Sequence, residues 1–143
     1  MNKTKYKKMV EQSSPNSNSF LNCLNAFWGG GLICAIGQFF TNSFLNLGCD
    51  LEMARTLTCI CLIFIGVLLT GLGLYHKIGK VMGAGSIVPI TGFANSVASP
   101  AIEFKKEGFI FGVGAKMFVI AGPVIVYSTF ASVIVGIFYY LSK

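Results

Sequence analysis

The sequence predicts an all-α integral membrane protein: a small bundle of three or four transmembrane helices with a broken or re-entrant segment rich in glycine and proline. The chain of 143 residues is 54% hydrophobic and 11% charged, with a mean hydropathy of +0.71, whereas soluble domains carry about 25% charged residues. Its charges form small islands between uncharged tracts that are long enough to cross a bilayer. One tract is too polar and irregular to face lipid.

The N-terminal residues 1–19 are expected to form a basic cytoplasmic tail and a polar linker. The tail carries Lys3, Lys5, Lys7 and Lys8. A cleavable signal peptide is not expected, because polar residues from Gln12 to Ser19 separate these charges from the first apolar tract. A basic cluster beside a membrane span favours contact with the lipid bilayer over contact with nucleic acid. Residues 20–143 are expected to form a single membrane domain.

The first predicted span covers about residues 22–45, inside the uncharged tract from Phe20 to Leu47. Glycines remove side chains where another helix can approach closely. The predicted helix-packing positions are Gly29, Gly30, Gly31 and Gly37. Gln38 needs a polar partner at membrane depth, so it is a candidate pore-lining residue.

The second predicted span covers about residues 57–75 and is the most apolar stretch of the chain. A short loop with Asp50 and Glu52 precedes it, and Lys77 and Lys80 follow it. Lys and Arg concentrate on the cytoplasmic side of membrane spans. We therefore expect the N-terminus and the Lys77 loop in the cytoplasm, with the first two helices forming a hairpin.

Residues 81–102 are uncharged but contain several glycines, prolines and hydroxyl side chains. A helix in lipid could not leave so many backbone groups unpaired, so a broken segment of short half-helices around a cavity is predicted. This segment either spans the membrane or re-enters it. The candidate substrate-binding or pore-lining residues in it are Gly83, Gly85, Ser86, Pro89, Thr91, Asn95 and Ser96.

A charged island, Glu103 to Glu107, is interpreted as a cytoplasmic turn. It precedes a predicted short arm at residues 108–118 and a final span at residues 119–141. If the arm only dips into the membrane, the C-terminus lies outside; if the arm crosses, the C-terminus returns to the cytoplasm. Lys116 in this arm either snorkels to the surface or faces a cavity as an anion-attracting residue.

Catalysis is not expected, because an active site needs converging titratable groups. His76 is the sole histidine and lies at the end of a predicted span. The five cysteines are interpreted as small buried apolar residues, and no metal or cofactor site is predicted. The glycine-rich stretch from Gly83 to Ser86 lacks the lysine and the spacing of a phosphate-binding loop.

Three strings of the sequence resemble the SpoVA family of spore-forming bacteria. They are GGLICAIGQ from Gly30, GAGSIVPITGFANS from Gly83 and EFKKEGFIFGV from Glu103. The resemblance covers roughly Phe20 to Leu141. The N-terminal tail and the GFANS string distinguish the chain from the AE paralogue of that family.

The resemblance implies a multi-pass protein of the forespore inner membrane, which becomes the spore inner membrane. It implies a tension-gated subunit of a channel or transport complex that moves dipicolinic acid with calcium during sporulation and germination. The implied partners are other SpoVA subunits, AE in the membrane and the soluble AD, in a homo- or hetero-oligomer. The alternative is a structural scaffold subunit without its own conduit. The resemblance implies no residue-level binding site.

Overall fold

The computed structural model describes Met9, residues 18–87 and residues 89–142. Over these residues the chain consists of helices and turns without a strand, so the predicted all-α class is confirmed. Three helical runs are long and apolar enough to cross a membrane. The predicted tail and linker at residues 1–19 fall almost wholly outside the described residues.

The first two helices form an antiparallel hairpin. Helix α1 is Ser19–Asn46 and helix α2 is Leu51–Gly71. They are about 42 Å and about 32 Å long, and the hydrocarbon core of a bilayer is about 30 Å thick. Gly48 turns the chain between them with a φ of 87°, which glycine adopts readily. The hydroxyl oxygens of Thr41 on α1 and Thr58 on α2 lie 3.0 Å apart.

Helix α2 begins and ends earlier than the span predicted at residues 57–75. Its first turns include Glu52, which the hydropathy pattern assigned to a loop, and also the charged residue Arg55. The helix stops at Gly71 because Gly73 adopts a φ of 68°. The apolar tract therefore locates the membrane-buried part of α2, and its charged first turns extend the helix beyond that part.

The segment after α2 is two short helices joined by a tight turn. Helix α3 is Tyr75–Met82, a 3₁₀ turn covers Gly83–Ile87, and helix α4 is Pro89–Glu103. Gly83 ends α3 with a φ of 51°, a conformation that side chains disfavour. The break in the segment 81–102 thus lies near its N-terminal end, and the half-helix before the break starts at Tyr75.

Helix α4 runs antiparallel to α2, which is its main packing partner. It begins beside the end of α2, because the hydroxyl groups of Thr91 and Tyr75 lie 3.4 Å apart. From there it follows α2 in the opposite direction. The groove between the two helices is lined by Cys59, Ile63 and Val67 of α2 and by residues from Ile90 to Ala101 of α4. Helix α4 therefore carries the chain from one end of the bundle to the other.

The charged turn after α4 consequently lies at the opposite end of the bundle from Lys77 and Lys80. Its interpretation as a cytoplasmic turn, on the same side as the Lys77 loop, does not fit this arrangement. The physical reason is the direction of α4: the half-helices do not return the chain to the end where it left α2. Helix α4 has 15 residues and is not among the three candidate membrane-spanning runs, so a segment that spans and a segment that re-enters both stay predictions.

The rest of the chain is one long helical run. A 3₁₀ turn covers Phe104–Glu107, Gly108 reverses the chain with a φ of 97°, and a π-helical turn at Phe109–Gly114 leads into helix α5, Phe118–Leu141. The run Phe109–Leu141 has 33 residues and meets the length and hydropathy of a single candidate span. The arm predicted at residues 108–118 is therefore continuous with the span predicted at 119–141.

Helix α5 packs chiefly on α4 and runs antiparallel to it. Lys116, before α5, lies over Phe104 beyond the end of α4, while Thr129 shares a groove with Ile87 before its start. The C-terminal end of α5 therefore lies at the end of the bundle where α1 begins. Apart from Ala121, which is fully buried, the helix is scarcely covered by the other described residues. Lipid or another subunit must cover its apolar side chains.

Candidate polar site at the helix break

A buried polar cluster joins α3, the 3₁₀ turn and α4. The Tyr75 hydroxyl donates to the carbonyl oxygen of Ser86 at 2.6 Å and lies 3.4 Å from the hydroxyl oxygen of Thr91. All three residues are buried. A polar group out of water is costly unless it is paired, and among the described residues no buried side-chain nitrogen or oxygen lacks a hydrogen-bond partner. The cluster therefore stabilises the break.

The break has its own local hydrogen bond. The Ser86 hydroxyl donates to the carbonyl oxygen of Gly83 at 2.8 Å. This carbonyl group belongs to the residue whose positive φ ends α3. The serine thus occupies one of the acceptors that a broken helix leaves free, which is how such a break is tolerated at membrane depth. Pro89, another candidate, is the first residue of α4, a favourable helical position for proline.

A second polar contact joins α4 to α2. The Thr70 hydroxyl donates to the side-chain oxygen of Asn95 at 2.9 Å, and it also lies 2.7 Å from the carbonyl oxygen of Gly66. Gly66 permits this approach, because a Cβ added there would lie 3.2 Å from the carbonyl oxygen of Thr91. Asn95, predicted as a pore-lining residue, is therefore used between two helices of the same chain.

Glycines let the break approach α1. Gly85 packs so closely on the backbone of Ala26 that an added Cβ would overlap the Ala26 carbonyl group. An added Cβ at Gly29 would meet the Met82 side chain at 2.6 Å. These two contacts fix the 3₁₀ turn and the end of α3 against the first half of α1. Gly85 and Gly29 therefore have packing functions, although Gly85 was predicted as a pore-lining residue.

The other predicted packing glycines of α1 contribute less. A Cβ added at Gly37 would lie 3.4 Å from Leu62 of α2, an ordinary contact distance. Gly30 is half-buried. Gly31 is exposed, and a Cβ added there would meet nothing within 4 Å, so it makes no packing contact within this chain.

Two predicted polar candidates, Gln38 and Ser96, lie away from the cluster, and Gly83 contributes no side chain to it. Gln38 is on the uncovered side of α1, where its amide donates to Asn42 at 2.8 Å. Ser96 donates to the carbonyl oxygen of Phe93 in its own helix at 2.8 Å and lines the groove between α4 and α5. Gly83 is exposed. The structure does not bring Gln38 or Ser96 together with Ser86 and Thr91, and Gly83 meets Ser86 only through its backbone carbonyl group.

Lys116 lies near the charged turn. Its ammonium nitrogen is 5.0 Å from the centroid of the Phe104 ring, a cation–π contact. The residue is half-buried and follows the turn that ends at Glu107. Of the two alternatives, this position favours a lysine that reaches the bundle end over one that faces a polar cavity.

Sequence reasoning missed three residues that make these contacts: Tyr75, Thr70 and Thr58. Thr58 donates to the carbonyl oxygen of Ala54 at 2.9 Å and pairs with Thr41 across the hairpin. A signal for it existed, because the buried residues of α2 recur every four positions: Ala54, Thr58, Leu62 and Gly66. That spacing places them on one helix face. Tyr75 was read as the end of a span, and its partner in the turn could not be deduced from spacing.

The cavities of the bundle are mainly apolar grooves. One of about 610 Å³ lies between α2 and α4, where its only polar lining is the thiol of Cys59. Another, of about 660 Å³ between α4 and α5, carries hydroxyl groups from Ser96, Ser128 and Thr129. Neither connects the two ends of the bundle through a polar lining. Among the described residues, these grooves reflect helix packing within one chain.

Candidate metal-ligating side chains do not cluster among the described residues. These residues contain no group of three or more His, Cys, Asp or Glu side chains that could hold a metal ion. The cysteines, expected to be buried, are exposed or half-buried within this chain. His76 contacts the carbonyl oxygen of Gly73 in the turn after α2. The chemistry available at the site is hydrogen bonding by hydroxyl and amide groups.

Comparison with known proteins assigns the chain to a family. Residues 22–138 match the family described as SpoVAC/SpoVAEB sporulation membrane protein. The chain belongs to this SpoVAC/SpoVAEB family. Stage V sporulation protein AC of Bacillus subtilis (strain 168) is 47% identical over 135 residues, which cover 94% of this chain and 90% of that protein. No solved structure matches the chain. The family resemblance read from the sequence is confirmed.

Proposed function

We propose that this chain is a membrane subunit of a channel or transport complex that moves dipicolinic acid, with calcium, across the spore inner membrane. The observation that carries the proposal is its membership of a family of sporulation membrane proteins over nearly its whole length. The candidate membrane-spanning helices support a role in the membrane. The proposed orientation places the N-terminus in the cytoplasm, with the end of the bundle that carries Lys77 and Lys80.

The proposed conduit is shared with other chains. Ser86, Thr91 and Asn95 make hydrogen bonds within the chain, so they do not line an open path through it. The hydroxyl-bearing groove between α4 and α5 is the surface on which this chain would border a conduit. The proposed partners that complete it are the AE membrane subunit and the soluble AD subunit.

Solute flux from proteoliposomes tests the proposal. Vesicles loaded with calcium dipicolinate would contain the chain alone or together with its partner subunits, and release would be measured with and without osmotic tension. Release is expected only from the vesicles with partners, with a faster rate under tension. Silence in all preparations would contradict a role in the conduit.

A scaffold without its own conduit is the second candidate, and a specific observation favours it: the polar residues of the break are used to join helices. Filling the groove with Ser96→Leu and Thr129→Leu separates the two functions. A bordering subunit loses dipicolinate release while the complex still co-purifies. A scaffold loses release only when assembly is lost. Ser132→Leu, on α5 but outside this groove, is the matched control.

A further inference from the structure

A separate cavity opens at the end of the bundle where α1 begins. It has a volume of about 500 Å³ and lies between the first turns of α1 and the region where α3 ends. Its polar side chains are Asn22 and Asn25 from α1 and Lys80 from α3. We call this cavity the amide–lysine notch. None of its polar residues belongs to the buried cluster around Tyr75.

The notch is held in shape by close backbone packing. The contact of Gly85 with the Ala26 backbone joins its two walls, and the Met82 side chain lies against Gly29 one turn further along α1. Both contacts are too close to accept an added Cβ without movement. The side chains of the two walls therefore face a cavity whose width is fixed by the fold, so a ligand would find much of the site already formed.

The polar side chains of the notch are hydrogen-bond donors without a partner among the described residues. The side chains of Asn22, Asn25 and Lys80 make no hydrogen bond or ion pair with the described residues. An ammonium group supplies three N–H donors, and each side-chain amide supplies two. A site with these donors and one positive charge matches an acceptor that is negatively charged and has several oxygen atoms.

The distribution of charge supports an anionic ligand. The acidic residues that the structure describes lie at the opposite end of the bundle: Asp50 and Glu52 where α2 begins, and Glu103 and Glu107 at the turn after α4. The notch end carries Lys77 and Lys80. Within the described chain, Lys80 is therefore not neutralised by a carboxylate, and the notch has a positive potential.

We propose that the amide–lysine notch binds an oxyanion group, a carboxylate or a phosphate. The ammonium of Lys80 would pair with the charge, while the amide groups of Asn22 and Asn25 donate to the oxygen atoms. Two sources offer this chemistry at a membrane surface: the phosphate of an anionic lipid headgroup and the carboxylate of a small solute. Only the solute source rests on the proposed function.

Binding measurements on the full chain test the notch and separate the sources. The chain in nanodiscs of neutral lipid would be titrated with dipicolinate and with inorganic phosphate by calorimetry. In a second arm, retention of phosphatidylglycerol by the detergent-solubilised chain would be measured by native mass spectrometry. Lys80→Gln removes the charge, and the double variant Asn22→Leu with Asn25→Leu removes the amides at constant charge. Lys77→Gln removes the same charge outside the notch.

Lys80→Gln is expected to weaken binding about tenfold or more, because hydrogen bonds to charged groups are the strong ones. The double asparagine variant is expected to weaken binding too, whereas Lys77→Gln leaves it nearly unchanged. Binding in the lipid arm alone identifies a headgroup site, and binding in the solute arm identifies a solute site. Absence of binding in both arms overturns the proposal that the notch binds an oxyanion group. So does equal weakening by the two lysine variants with no effect of the asparagines.

The two proposals can fail independently, because this test reads binding and the proteoliposome test reads flux. If the notch binds only lipid, the proposal that the chain borders a conduit is not contradicted. If the proteoliposomes release no dipicolinate, the notch proposal still holds provided that lipid retention falls in Lys80→Gln and not in Lys77→Gln.

Discussion

The hydroxyl group of Tyr75 connects three elements through one oxygen atom. It donates to Ser86 in the 3₁₀ turn and lies beside Thr91 at the start of α4, while its own backbone begins α3. The two partners fix the place where the chain turns from α2 into α4. At the residue scale, this hydroxyl group can be removed while the ring and the backbone of Tyr75 stay in place.

Tyr75→Phe is expected to lower the free energy of unfolding by about 0.5–1.5 kcal/mol, the net value of one hydrogen bond. The ring stays, so only the hydroxyl contacts are lost. Unfolding in mixed detergent micelles, followed by circular dichroism, measures the change. Tyr127→Phe is the control, because Tyr127 is 75% exposed on α5. Equal stability of the two variants would show that the Tyr75 hydroxyl does not hold the break.

Gly85→Ala is expected to destabilise the fold by about 1–3 kcal/mol, the usual cost of overpacking. The added methyl group would meet the Ala26 carbonyl group, which is backbone and cannot rotate away. Gly31→Ala is the matched variant with open space around it, and it should leave the thermal midpoint in detergent unchanged or slightly higher. A lower midpoint for Gly31→Ala than for Gly85→Ala would contradict the packing described for the break.

At the level of elements, α2 and α4 meet through small and polar residues. Gly66 faces Thr91 and Ala94 of α4, and Thr70 reaches Asn95. Small residues let helix backbones approach where no hydrophobic effect drives association, as in a bilayer. The sequence showed that these residues are unusual for a lipid-facing helix. It could not show their partners, because spacing within one helix does not define the register of another.

Cross-linking tests the antiparallel register of α2 and α4. In a chain whose only native cysteine is Cys59, Ala101→Cys should link to Cys59 with a short bifunctional reagent, since both residues line one groove. Ile90→Cys is the matched control, because Ile90 lines the same groove about 16 Å further along α4. A link from residue 90 with none from residue 101 would indicate parallel helices and contradict the register.

The helices themselves were largely predictable, and their directions were not. Uncharged tracts locate α1, the core of α2 and α5 because a bilayer requires long apolar runs. Polar residues between 81 and 102 predicted a break, but its position depends on Gly83 and on the contact of Gly85 with α1. The end of the bundle that α4 reaches depends on its packing against α2, which spacing along one helix does not define.

For the whole molecule, the fold leaves more apolar surface than one chain can cover. Helix α5 leaves nearly all its apolar side chains exposed, whereas its residues Ser128 and Thr129 line the groove beside α4. Part of this surface faces lipid, and assembly with other subunits is the proposed use of the rest. The described acidic residues gather at one end of the bundle and the notch lies at the other, which gives the molecule two chemically different ends.

Side-specific labelling of single cysteines tests most directly whether the broken segment carries the chain across the membrane. Lys77→Cys and Lys106→Cys variants, in a background without other cysteines, would be treated in oriented vesicles with a maleimide that does not cross membranes. Because α4 runs antiparallel to α2, the two positions are expected to react from opposite sides. Reaction of both positions from the same side would show a re-entrant segment and contradict the fold described for the bundle.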